Sequence, residues 1–238
     1  LAGSGIGGDQ IETTVRELLA RERERPMVTI SETSTGGDAS LVLQFMPGII
    51  SMFVLFAVTL GSRAIVEERK KGTLERLLST QLTVGQLYAG KFLAGTARGF
   101  AQTFILLALA YAVFNLFTPL SFVMTLLVAL VFAAAASTLA LIIASVSRND
   151  DQSVGISVFF TMATVMLGGT FFEIPKGSVL AIIGMTSINT YVNTSLKTMM
   201  ALGGSLGDIA FELAVLGTVA VVGLIVSRLL FRAVQGGR

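Results

Sequence analysis

The chain has 238 residues, of which 53% are hydrophobic and only 13% charged, and its mean hydropathy of +0.79 excludes a soluble globular domain of this length. The formal net charge of +2 says little by itself, so the placement of the charges carries the information. Cysteine and histidine are both absent, which removes disulfides, thiolate nucleophiles and the commonest zinc ligand. Composition therefore gives a polytopic membrane protein with no expected metal site, and its long apolar runs make the expected fold class an all-α polytopic membrane protein.

Residues 1–40 form the only sizeable soluble portion, and a glycine-rich start at Gly3 to Gly8 opens it. Asp9 and Glu12 have the spacing of a capping box, and Ile11, Val15, Leu18 and Leu19 recur on one face, so a helix is expected over 10–25. Pro26 ends it, and 28–32 alternates like a short strand. Arg21, Arg23 and Arg25 interleave with Glu22 and Glu24, a pattern of a solvated helix and not of a nucleic-acid surface.

The membrane portion, 41–238, begins with an uncharged run from Ala39 to Ser62, long enough to cross a hydrocarbon core of about 30 Å. Spans are expected at about 41–65, 87–114, 121–146, 154–172 and 208–231, five in all. No Asp, Glu, Lys or Arg occurs between Gly99 and Ser147, and the short turn at 115–119 makes the second and third spans antiparallel neighbours. Arg148 to Asp151 reads as a tight polar loop. Apolar pieces within 178–203 are too short to cross and read as re-entrant or interfacial external helices.

Between the first two spans lies the one densely charged island, Glu67 to Lys91. Thr73 is placed to cap a new turn after Gly72, and Leu74, Leu77, Leu78 and Leu82 then share a face beside Glu75 and Arg76. An amphipathic helix is expected over 72–83, lying against the bilayer. Ten of the 17 basic residues sit in or beside one set of connections, so this island, the Arg148 loop and the C-terminus are expected on the cytoplasmic side, with 1–40 and 173–207 external. An external start, five spans and an opening Leu1 imply a fragment or processed product whose first span lies upstream.

The run Glu68-Arg69-Lys70-Lys71-Gly72-Thr73-Leu74-Glu75-Arg76-Leu77-Leu78, with Gly90-Lys91 at the next span, resembles the Glu-Arg-x-x-Gly-Thr-x-Glu-x-Leu motif of ABC type-2 transporter permeases. The resemblance covers the chain from Leu41 onward and implies five visible spans of a six-helix permease. It further implies a cytoplasmic coupling helix that docks on a partner ATPase through Glu68, Arg69 and Gly72 to Leu78. The implied assembly is two ATPase copies and a second permease copy in the cell membrane, with ATP and Mg on the ATPase and no cofactor on this chain. The sequence departs from the family pattern at Gln81, where proline is common, and at Asn189-Thr190, where Asn-Pro is frequent.

Without that resemblance the island also reads as a solvated loop touching anionic lipid. The rival functions are an ion-coupled secondary transporter or channel, which would need mid-membrane charges, and a scaffold without transport. Gly85 to Lys91 has phosphate-loop spacing, but Phe92 stands where Ser or Thr is required and no strand precedes it, so nucleotide binding is not expected. Gly95 and Gly99, and Ala133 to Ser137, read as helix-packing faces. Arg98, Glu212, Asn189, Tyr191 and Asn193 are the candidates for a translocation path, with Lys197 or Lys176 as partners for Glu212. Drugs, lipids or hydrophobic peptides are the cargo classes that apolar walls would suit.

Overall fold

The computed structural model describes residues 37–79, 82–114, 118–171, 175, 177–201 and 204–236, without the side chains of 37–42, 74, 75, 78, 201 and 231–236. The helix expected at 10–25, the strand at 28–32 and Lys176 lie outside the described residues. The chain divides into two units, Leu1–Gly37 and Asp38–Arg238, and the second contains the membrane helices.

Its helices are α1 (Gly37–Leu60), α2 (Ser62–Lys70), α3 (Thr73–Leu78), α4 (Val84–Phe114), α5 (Pro119–Val146), α6 (Asp150–Leu167), α7 (Val179–Gly184), α8 (Ile188–Ala201) and α9 (Ala210–Gly236). No strand occurs among the described residues. Four stretches are long and apolar enough to cross a membrane: Leu43–Lys70, which runs through α1 and α2, then Val84–Phe114, Pro119–Val146 and Ala210–Leu230. The fold is all-α and polytopic.

Local chemistry moved several expected boundaries. Pro119 occupies the first position of α5 behind Thr118, whose side chain accepts the Ser121 N–H at 3.2 Å, so α5 starts two residues before the expected 121. The expected loop at Arg148–Asp151 already belongs in part to α6. Asn149 accepts the Gln152 N–H at 2.8 Å while Gln152 accepts the Arg148 N–H at 2.8 Å, a reciprocal cap that starts the helix at Asp150 and not at 154. At the other end Gly168 and Gly169, the latter at φ 66°, stop α6 at Leu167 instead of 172. Its 18 residues and acidic first turn keep α6 outside the four long apolar stretches.

α5 is the centre of the bundle, packed against α4 on one side and α9 on the other. In lipid the apolar environment gives little reward for burying leucine, so close approach and hydrogen bonding hold helices together. The two small-residue faces read from the sequence meet here. A Cβ on Gly95 would collide with Ser137 Oγ, and one on Gly99 would lie 2.8 Å from Val58 and 3.1 Å from Ala133. Gly223 of α9 approaches Thr138 equally closely. Around this axis Ile50, Leu55, Leu107, Phe132, Leu196 and Leu216 fill the interior from α1, α4, α5, α8 and α9.

A seam of buried hydroxyls joins the α1–α2 junction at Gly61 to α6. Ser62 Oγ lies 2.6 Å from Ser153 Oγ and 3.2 Å from Ser157 Oγ, Thr59 Oγ1 lies 3.1 Å from Thr161 Oγ1, and Ser157 donates to the Thr59 carbonyl at 2.9 Å. All five side chains are buried.

Candidate functional site

The charged island folds as three pieces: the last turn of α2, a turn at Lys71–Gly72, and α3. Lys71 N–H bonds the Glu67 carbonyl at 2.9 Å and Gly72 N–H the Arg69 carbonyl at 3.2 Å, closing α2. Gly72 then sits at φ 68°, the left-handed conformation that favours glycine after a helix end. Its carbonyl accepts the Arg76 N–H at 3.1 Å, so Gly72 is the cap position of α3 and Thr73 its first residue, not its cap. α3 ends at Leu78, whereas the sequence suggested a helix over 72–83; Thr83 caps α4 through Gln86, whose N–H bonds Thr83 Oγ1 at 3.3 Å. The Gly85 to Lys91 stretch is helical from the first turn of α4 onward and does not form a phosphate-cradling loop.

The motif charges are divided between inward ties and outward display. Lys91 Nζ on α4 donates to Glu68 Oε1 at 2.6 Å and also to Oε2. Arg69 reaches the C-terminal end of α5, donating to the Ala144 carbonyl at 3.4 Å and to the Ser147 carbonyl. A guanidinium there complements the negative end of the helix dipole and satisfies carbonyls that lack intrahelical donors. Lys71 pairs with Glu67 at 2.5 Å, and that bond, helped by the nearby Asp150 charge, holds its ammonium above the ordinary lysine range. Arg76 and Leu77 are exposed on α3. The side chains of Leu74, Glu75 and Leu78 lie outside the described residues.

The five residues considered for a translocation path do not form one group. Arg98 lines a cavity of about 130 Å³ between α1, α2, α4 and α5, together with Glu68 and Lys91. Asn189, Tyr191 and Asn193 come together on α8, near Ser51 of α1, which is ten residues from Gly61 beside Arg98, or about 15 Å along the helix. Asn189 and Asn193 are buried. Asn193 accepts from Ser51 at 2.9 Å and donates to the Gly168 carbonyl at 3.0 Å and to Thr170 at 3.1 Å, while Asn189 donates to Thr170 at 2.8 Å. They fasten α8 to α1 and to the end of α6. The edge of Asn193 also reaches a hollow of about 740 Å³ that includes Lys197. Tyr191 donates to the Met185 carbonyl at 2.7 Å, bridging α8 to the end of α7. Glu212 stands in the first turn of α9, with no ion pair among the described residues.

A model of the ABC-2 family transporter proteins matches residues 8–229, nearly the whole chain. The chain belongs to the ABC-2 family. Among curated proteins, this ABC-2 chain is 26% identical over 176 residues to the linearmycin resistance permease protein LnrN of Bacillus subtilis (strain 168), covering 72% of this chain and 46% of that protein. It is 24% identical over 164 residues to ABC transporter G family member 20 of Dictyostelium discoideum, covering 66% of this chain and 22% of that protein. The chain thus spans less than half the length of either relative. Family and helices together make it a multi-pass membrane protein.

Sequence reading missed two parts of this arrangement. The hydroxyl seam was signalled by Ser153, Ser157 and Thr161, four residues apart on one face of α6. The inward commitment of Glu68 and Arg69 was not signalled, because a charged motif read alone says nothing about which helix ends lie beside it.

Proposed function

We propose that this chain is the membrane subunit of an ATP-binding-cassette exporter, a dimer served by two ATPase subunits that carry ATP and Mg, with α3 as the element gripped by the ATPase. The observation that carries the reading is the mounting of α3. The helix that precedes it, α2, is tied to α4 through Glu68–Lys91 and to the end of α5 through Arg69 in its last turn, and to α6 through Ser62 at its start. A displacement applied to α3 passes to several spans at once, as a motor-driven permease requires. Exposed Arg76 and Leu77 supply a charge and an apolar contact for the partner. On this reading the charged end and the C-terminus face the cytoplasm of a cell membrane.

Outward transport of a hydrophobic or amphipathic compound, such as a drug, lipid or peptide, is the direction favoured by the Bacillus relative, whose name assigns it a role in resistance. Copurification with an ATPase whose hydrolysis depends on this chain tests the assembly. Glu75→Arg, on the motif, is expected to uncouple transport from hydrolysis with normal insertion; unchanged export by that variant would remove α3 from the coupling role.

A further inference from the structure

The open-sided cavity between α1, α2, α4 and α5 is lined by charges that do not cancel. Lys91 and Arg98 contribute two positive charges and Glu68 one negative, leaving one positive charge in excess. Lys91 is paired with Glu68, whereas Arg98 has no ion pair among the described residues. Apart from Ser137, the remaining lining is small or apolar. Arg98 stands 14 residues into α4 from Val84, about 21 Å along the helix, and Lys91 lies about 10 Å nearer the charged end. The guanidinium turns toward the α1–α2 junction, where a Cβ placed on Gly61 would lie 3.3 Å from Nη1, so the glycine leaves it room.

An arginine at that depth is costly unless an anion or water meets it, and ionisable groups inside membrane helices mark binding or transport sites by default. The volume decides between ligand sizes. About 130 Å³ corresponds to roughly four waters, well below the ~300 Å³ at which pockets for drug-sized ligands begin. The cavity therefore suits a small anionic group and not a cargo molecule. Of the lining residues, Ala64, Ala94 and Arg98 are exposed, as is Leu93 next to Ala94, which leaves a lateral approach for a molecule whose chains remain in the bilayer.

We propose that this cavity binds the phosphodiester of an anionic phospholipid, with Arg98 and Lys91 holding the phosphate oxygens and the lipid chains running along the exposed face of α4. A net charge of −1 on the lipid neutralises the excess, which a zwitterionic lipid does not do.

The test is native mass spectrometry of the full-length protein, titrated separately with phosphatidylglycerol, phosphatidylcholine and inorganic phosphate. Wild type should retain phosphatidylglycerol about tenfold better than phosphatidylcholine, the size of one charge-assisted hydrogen bond. Arg98→Gln should abolish that preference, Arg98→Lys should keep most of it, and Arg148→Gln, an exposed loop arginine outside the cavity, should keep all of it. Equal retention of the two lipids by wild type overturns the proposal, as does a preference that survives Arg98→Gln. Phosphate binding without lipid retention overturns the lipid as source, and loss of dimer in Arg98→Gln with lipid preference intact assigns the arginine to a second copy. If Arg98→Gln does not fold, Lys91→Gln takes its place, with the same loss expected. None of these readouts involves the ATPase, so their failure is distinct from failure of the exporter reading.

Discussion

Replacement of Gly72 isolates the backbone geometry on which α3 is mounted. At φ 68° an L side chain is strained, yet nothing lies within 4 Å of a Cβ at this position, so no collision contributes. The left-handed conformation costs about 1–2 kcal/mol, from which the stiffer unfolded chain of an alanine variant returns roughly 0.4–1 kcal/mol. Gly72→Ala should therefore weaken the junction by about 1 kcal/mol, which is a fivefold rise in local opening. Hydrogen exchange on the peptide spanning 73–79 reads this directly, through the Arg76 amide that bonds the Gly72 carbonyl at 3.1 Å. Asparagine tolerates the conformation better, so Gly72→Asn should give a smaller effect, and the β-branched Gly72→Val a larger one. Gly90 provides the control, since it is helical with equally open surroundings, and Gly90→Ala should tighten α4 or leave it unchanged. Wild-type exchange in Gly72→Val, or equal loosening in Gly90→Ala and Gly72→Ala, would refute the reasoning.

Three further outcomes follow from packing and polar contacts. Gly95→Ala should destabilise the α4–α5 contact by about 1–3 kcal/mol through its collision with Ser137, and Ser137→Gly in the same molecule should restore much of the loss in thermal unfolding of the purified protein. Asn193→Ala removes three hydrogen bonds, to Ser51, Gly168 and Thr170, although Ser51 still donates to the Gly48 carbonyl and Thr170 still accepts from Asn189. It should cost about 1–3 kcal/mol, more than Asn189→Ala, which removes one side-chain bond, and the order of the two melting temperatures checks this. Asp208 accepts from the Ser205 N–H at 2.8 Å and from its hydroxyl at 3.0 Å, and these bonds, the backbone one first, hold its carboxyl below the ordinary range. A depressed carboxyl contributes stability above its unfolded titration range and loses it as pH falls through the folded value. Asp208→Asn should thus melt slightly earlier than wild type at neutral pH, with the two converging in strong acid.

Legibility followed the range of the interaction concerned. Helices α4 and α5 were readable because α5 and the second half of α4 are long uncharged runs. Gly95 with Gly99, and Ala133 with Ser137, were readable as packing faces from their four-residue spacing, though not as each other's partners. The start of α6 was misplaced for a local reason: Arg148 to Asp151 looked like a loop by charge, while Asn149 and Gln152 formed a reciprocal cap inside it. Asn189 and Asn193 looked like lining because polar residues near the last span suggest a pathway. Their partners, Ser51 and Thr170, are remote in sequence for Ser51 and beyond a double-glycine turn for Thr170. Only folding reveals that both atoms of the Asn193 amide and the Asn189 NH2 are spent internally, while Asn189 Oδ1 is buried without a hydrogen-bond partner. Glu68 and Arg69 illustrate the same limit within the motif, since both meet helices that lie outside it.

The hydroxyl seam has a mechanical consequence that the glycine contacts do not share. Thr59 Oγ1 also donates to the Leu55 carbonyl of its own helix at 2.6 Å, whereas Ser157 donates across the seam to the Thr59 carbonyl at 2.9 Å. Sliding α6 along α1 and α2 would part Ser157 from the Thr59 carbonyl and Ser62 from its two serine partners, whereas Gly95 against Ser137 and Gly223 against Thr138 interlock by shape. The bundle thus holds α6 to the α1–α2 junction by directional polar bonds and α5 to α4 and α9 by shape, so a shift of α6 costs hydrogen bonds where a shift of α5 costs collisions.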